Sequence, residues 1–296
     1  LPKENLKSDM HRGFDASIMW TDQINDFNYS VGGNITYSRF WDWEQYKPRF
    51  SNSWDEYRNS IWHRVGYVNW GYEAIGRFDS WEQIANYPVD NDRKGNRTVV
   101  PGDIMYKDQN NDGVINYLDE RPIGYRVDST PTLNFGINLS ASWKGFDLAM
   151  DWTGSGMTSW NQCYETARPF QNDGNSPDEV LKDAWHLSDI WDANSPLIPG
   201  KYPMVRLNTD ETSAYDKSSY WLHNVTYLKL RNLEVGYTFP KTWLNRTGIS
   251  NLRLFVSGTN LLTLSNLSVM DPECASDNGL DYPPMRVINI GVNLKF

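Results

Sequence analysis

Several stretches of this 296-residue chain alternate apolar with small polar residues, one position at a time. A period of two is the signature of β-strands with one apolar face, because successive side chains point to opposite sides of the backbone. Between 27 and 37 the odd positions are Phe27, Tyr29, Val31, Gly33, Ile35 and Tyr37, against Asn28, Ser30, Gly32, Asn34 and Thr36. In 134–143, Phe135, Ile137, Leu139, Ala141 and Trp143 oppose Asn134, Gly136, Asn138, Ser140 and Ser142. Residues 146–153, the 233–239 part of strand 225–239 and the 252–257 part of strand 252–262 follow the same rule, and 12–21 follows it more loosely. The last strand, 288–296, sets Ile288, Ile290, Val292, Leu294 and Phe296 against Asn289, Gly291, Asn293 and Lys295.

A soluble sandwich also alternates, with its apolar face turned inward. The connections separate the two readings. Residues 22–26, 144–145 and 240–251 make short joins, whereas 39–133, 154–224 and 263–284 make long ones. Long structureless connections are rare in compact soluble domains. Short turns at one end and long loops at the other are what outer-membrane barrels show. With the chain end in the periplasm, every short join falls on the periplasmic side and every long loop outside. We therefore expect an all-β fold, an antiparallel transmembrane β-barrel with long extracellular loops, and read all of 1–296 as its C-terminal part. Residues 66–78 are read either as two further strands or as loop structure. Seven to nine strands leave an open edge, which lipid does not tolerate, so the rest of the wall is expected in chain not present here.

Composition fits this picture. Hydrophobic residues make up only 39%, yet there are 14 Trp and 17 Tyr, a surplus suited to interface girdles or to a stacking surface for sugars or peptides. A net charge of −9 without a basic stripe argues against nucleic-acid binding. No apolar run approaches a spanning helix, and the start at Leu1 lacks an apolar h-region, as in a processed chain or a fragment. Cys163 and Cys274 lie in polar stretches and have the option of one disulfide in an oxidising compartment.

Residues 108–119 match a calcium loop. Asp108, Asn110 and Asp112 stand at positions 1, 3 and 5, Gly113 at the sharp turn, Val114 at the carbonyl position, Asn116 at 9 and Asp119 at 12. An Asp at position 12, where Glu is usual, points to weaker or more selective binding, and a metal-free Asn/Asp/Gly turn is the plain alternative. With no helix pair around it, such a site would stiffen a loop. Asn289, Gly291, Leu294 and Phe296 form a polar–Gly–apolar–aromatic pattern that we read as a barrel-insertion signal ending on an interface anchor.

Aromatics crowd the first long loop, and Trp41, Trp43, Trp54, Trp62, Trp70 and the second loop's Trp160 are the candidate contacts for a substrate or a lid. Self-packing of the loops is the competing account for each one. No catalytic constellation stands out. His11, His63, His186 and His223 lack metal-ligand spacing, and Asp119-Glu120 and Asp178-Glu179 read as solvated charges. The six Asn-x-Ser/Thr triplets, including that at Asn245, carry no meaning in a bacterial barrel.

The run from Pro101 through Asp103, Asp108 and Asn116 to Ile123-Gly124 resembles the SusC/RagA class of TonB-dependent transporters. So do 220–240, 248–262 and the closing 291–296. The resemblance implies a 22-stranded barrel around a plug and a SusD-like surface lipoprotein as lid. It further implies TonB as energy source and import of oligosaccharides or peptides across the outer membrane of a Bacteroidota-type bacterium; calcium, as a structural cofactor, follows from the spacing of 108–119, with which the family is consistent. The N-terminal extension, TonB box, plug and early strands of that class are missing from this chain. Two other readings stand beside import: a soluble β-rich carbohydrate-binding or hydrolytic protein, and a surface-assembly barrel without transport.

Overall fold

The computed structural model describes residues 6–44, 46, 49–126, 130–207, 211–245, 248–273 and 278–296. Seven long strands form its frame: β1 (Ser8–Ile24), β2 (Phe27–Glu44), β3 (Leu133–Trp143), β4 (Phe146–Asn161), β5 (Leu222–Thr238), β6 (Asn251–Ser265) and β7 (Val287–Lys295). They pair antiparallel strictly in chain order. A meander of this kind needs no crossover, so each strand finds its partner next along the chain. Leu1, Cys274 and the Arg246–Thr247 part of the Asn245 triplet lie outside the described residues.

The expected strands are all present, but β2, β4 and β6 run past the expected bounds at the long-loop end. Residues 39–44 and 154–161 are strand and not loop. Arg64–Val65 pairs with Trp41–Asp42 of β2 and the Gly66 N–H donates to the Phe40 carbonyl, but residues 67–78 do not join the wall. Asn69–Gly71 pairs with Arg121–Gly124 and Ala74–Arg77 with Ile104–Tyr106, two small separate sheets inside the loops.

Turn chemistry closes the short end. Ile24 pairs with Phe27 around Asn25-Asp26, and Trp143 pairs with Phe146 around Lys144-Gly145. Lys144 and Gly145 both take positive φ, 46° and 93°, as a two-residue hairpin matched to the strand twist requires. A Cβ at Gly145 would lie 2.7 Å from the Thr238 carbonyl oxygen, so glycine is needed there for space as well as for φ.

Register turns the alternation into two faces. Val31, Leu139, Met150 and Leu233 follow one another across four strands on one face, and Ser30, Ser140, Ala149 and Glu234 do so on the other. The apolar face stays uncovered: Ile18, Val31, Val256 and Ile290 are all exposed. A sandwich would have packed that face against a second sheet. The polar face is knitted by its own contacts, with Ser30 bonded to Ser140, Asn138 to Asp151, and Arg253 bridging Asp147 and Glu234. At the short-turn end Phe27, Trp143, Phe146 and Tyr237 form one cross-strand row, with exposed Trp20, Trp243 and Phe296 near the same edge.

The buried core lies elsewhere, in the loops. Ile104, Tyr106 and Ile115 of the first long loop pack with Val180, Ala184, Tyr202, Tyr215 and Trp221 of the second. The two loops therefore fold as one unit, and buried Asp103 paired with Arg206 ties them together.

Gly145→Val should lower stability by about 1–3 kcal/mol, since a branched residue cannot hold that φ and its Cβ meets Thr238. The unfolding midpoint of the full-length protein in detergent measures this, and an unchanged midpoint would contradict the turn assignment.

Candidate functional site: a loop-end cleft, an acidic turn and a buried lysine

A cleft of about 730 Å³ opens at the loop end of the wall. His11 and Phe40 contribute from the inward parity of β1 and β2, Tyr57, Arg64, Tyr67 and Trp70 from the first loop, and Tyr125 and Arg126 from the irregular segment just after the short strand Arg121–Gly124. The rings and guanidinium groups are interleaved. Trp70 meets Tyr57 edge to face at 5.2 Å with Arg58 4.5 Å above it, and Arg126 stands 3.8 Å over Tyr67. Cation–π contact holds the arginines flat while leaving donors at the rim. Such a surface stacks planar or ring-bearing ligands and offers hydrogen bonds around them.

The six tryptophans singled out from sequence do not share one surface. Trp70 lines the cleft. Trp41 and Trp43 sit on the outward face of β2 under Arg12, and Trp43 stacks on His63 at 4.3 Å with Trp62 tilted against the same ring. Trp54 lies on the helix Ser53–Asn59, edge-on to Tyr117, and its buried indole N–H has no hydrogen-bond partner among the described residues. Trp160 is 3% exposed and stacks on His223 inside a small core with Val225, Tyr227 and Leu267. Self-packing accounts for its position.

The acidic turn 108–119 has the backbone of an oxygen-donor loop. Asp108 accepts the N–H groups of Asn111, Asp112 and Gly113, the last at 2.8 Å, which folds the turn around its carboxylate. Ile115 is fully buried and anchors the loop in the common core. Asp119, also fully buried, accepts from Gln109 and Asn116. The Asn110 amide donates to Asp112, and so does the Asn116 amide, which also donates to the Val114 carbonyl. The Asn110 hydrogen bond and the Val114 N–H hold the Asp112 carboxyl below its ordinary value. The amide hydrogens of Asn110 and Asn116 thus point at the Asp112 and Val114 oxygens, while their own amide oxygens accept the Asp112 and Leu118 N–H groups. Among the described residues no three His, Cys, Asp or Glu side chains are gathered as a metal would need, so Asp108, Asp112 and Asp119 do not converge on one point in this arrangement.

The most heavily charged cluster is one that sequence reading missed. Lys229, fully buried on the polar face of β5, donates to Asp271 at 2.7 and 2.8 Å and to Glu273 at 2.8 Å. Arg231, at a bulge in β5, also holds Glu273, and the Tyr227 hydroxyl reaches it at 3.2 Å. These contacts fold the third long loop down against the inner face. Burial would raise the Glu273 carboxyl, but Arg231 and Lys229 outweigh it and lower it. The only sequence signal was a lysine and an arginine in the part of that strand that does not alternate, with their partners some forty residues away.

At the chain end, Asn289 and Gly291 take the polar face, where the Phe255 ring covers Gly291, and Leu294 pairs with Leu252 on the apolar face. Phe296 is 84% exposed.

Comparison with known proteins places this arrangement. No family model matches the chain. A TonB-dependent receptor of Formosa agariphila is 30% identical over 242 residues, 76% of this chain. The TonB-dependent receptor SusC of Bacteroides thetaiotaomicron is 24% identical over 252 residues, 79% of this chain. The chain belongs to the SusC/RagA family of TonB-dependent receptors. Its fold agrees with that of the solved RagAB peptide transporter at a TM-score of 0.64 over 98% of the chain, with 21% identity. The RagAB peptide importer in its closed-closed state gives 0.65 over 99%, with 22% identity. The chain spans 22% of the Formosa relative and 29% of the solved transporter chain, so the seven strands are one sector of a barrel wall that other strands must close.

Lys229→Met should strip the charge partner from Asp271 and Glu273 and cost about 3–5 kcal/mol, with the third loop opening to protease. Because the Glu273 carboxyl is lowered, its share of stability is present above its ordinary value of 4.5 and is lost as pH falls through its lower folded value. Limited proteolysis across that pH range checks both points; a third loop equally protected in the variant and at low pH would refute the cluster's role.

Proposed function

We propose that this chain is the C-terminal sector of an outer-membrane barrel that imports oligosaccharides or peptides, driven by TonB and lidded by a SusD-like lipoprotein. The two-faced wall carries the reading. Its apolar side is bare from the aromatic row at the short turns up to the long loops, and its other side is polar and internally bonded. A sheet of that kind is stable where lipid covers one face and a hydrated lumen the other. Relatives named as TonB-dependent receptors and a solved peptide transporter of the same fold support the direction and class of transport. In this reading the long loops face outward, the cleft of Tyr57, Trp70 and Arg64 meets substrate or lid, and the chain makes or breaks no covalent bond.

Calcium belongs to the same proposal. Asp108, Asn110, Asp112, the Val114 carbonyl and Asp119 would hold the ion, with Asn116 binding directly or through water. Its task would be to stiffen the first loop against the shared core through Ile115.

The import reading predicts that deleting the gene abolishes growth on one defined class of glycan or peptide, and that Tyr57→Ala with Trp70→Ala cuts uptake at least about tenfold without loss of the protein from the membrane fraction. Recovery of the full-length protein in soluble extracts would sink it. For the metal, chelation should hasten cleavage within 103–119, and added calcium should reverse this. A cleavage rate indifferent to both would remove the ion from the proposal.

A further inference from the structure

On the outward face, Phe14 and Tyr37 are register partners with rings stacked 5.8 Å apart. The next pair on that face, about 7 Å further toward the loops, is Arg12 opposite Arg39. Like charges directly opposite each other destabilise an antiparallel pair. Here the described residues supply no acid to relieve them. The nearest carboxylate on β2, Asp42, shares the other side with Phe40, as their common approach to Gly66 shows, and is paired with Lys7. Arg12 is held over the rings of Trp43 at 5.0 Å and Trp41 at 5.9 Å, so its guanidinium is fixed at the top of the apolar face. Two arginines opposite each other in register, just above an apolar band and with two indoles under Arg12, suit one doubly accepting anion.

We propose that Arg12 and Arg39 clamp a phosphate group of an outer-leaflet glycolipid, with Trp41 and Trp43 seated at its headgroup level. The proposal rests on the membrane reading above. The outward position makes the phosphate a lipid's, since the only neighbour on that side of such a wall is the bilayer. The bound phosphate would neutralise the opposed pair and so fasten β1 to β2 where they leave the membrane.

The test uses the full-length protein in detergent with three probes: phosphorylated lipid A, the same lipid dephosphorylated, and inorganic phosphate. Native mass spectrometry should show an adduct with the first alone, accompanied by a raised unfolding midpoint. Arg12→Gln with Arg39→Gln should weaken that adduct about thirtyfold. Arg39→Glu supplies an internal partner for Arg12, so its lipid-free midpoint should rise and its response to phosphorylated lipid should vanish. An equal response to dephosphorylated lipid or to inorganic phosphate would overturn the clamp, as would variants that respond like the native protein. Membrane fractionation separates the two levels: protein found in the membrane but indifferent to the lipid's phosphate refutes only the clamp, whereas soluble protein refutes the membrane reading.

Discussion

A wall one strand thick has no interior, so only the alternation of side chains can tell its two sides apart. Everything else here depends on that constraint. Pairing in chain order satisfies the backbone of each inner strand, and register then stacks apolar residues on one side and polar ones on the other. A slip by one residue would exchange the faces, placing Val31 and Leu139 in the lumen and Ser30 and Ser140 in lipid. The two-residue turn at Lys144-Gly145 prevents such a slip between β3 and β4.

Because the wall buries so little, the packed core had to form in the loops. Tyr106, Ile115, Tyr202 and Trp221 supply what the strands cannot, and the turn 108–119 is fastened to them by Ile115. The three long loops are also tied to the wall in different ways. The first and second share a core, while the third is drawn down by Lys229. A buried lysine with two carboxylates is weak evidence for net stability, because desolvation costs about as much as the pairing returns. It does choose one position for the third loop, since any other would leave the charge unpaired. The cleft lies among elements held in this manner, so its rings keep fixed positions without a ligand.

Much of this was legible in the residues. A part of each of the seven strands shows in its alternation, and the hairpin at Lys144-Gly145 shows in its length. The acidic turn shows in its spacing, which the buried Ile115 and the N–H groups gathered by Asp108 agree with. Strand ends were less legible: residues 39–44 and 154–161 carry mixed side chains because there the wall has left the apolar band. The tryptophans misled for a related reason. An indole serves equally in a core, at an interface and under a ligand, so Trp160, Trp43 and Trp70 look alike in sequence and take three different places.

By itself, then, the sequence determined the wall: period, order, faces and which end carries the long loops, because each follows from neighbours along the chain. Tertiary structure alone decided the rest. It joined two loops into one core, paired Lys229 with Asp271 and Glu273 across some forty residues, brought Arg12 opposite Arg39, and gathered Tyr57, Trp70 and Arg126 around one cleft. Those contacts join residues far apart in the chain, and their energy depends on burial and approach, quantities that no local pattern carries.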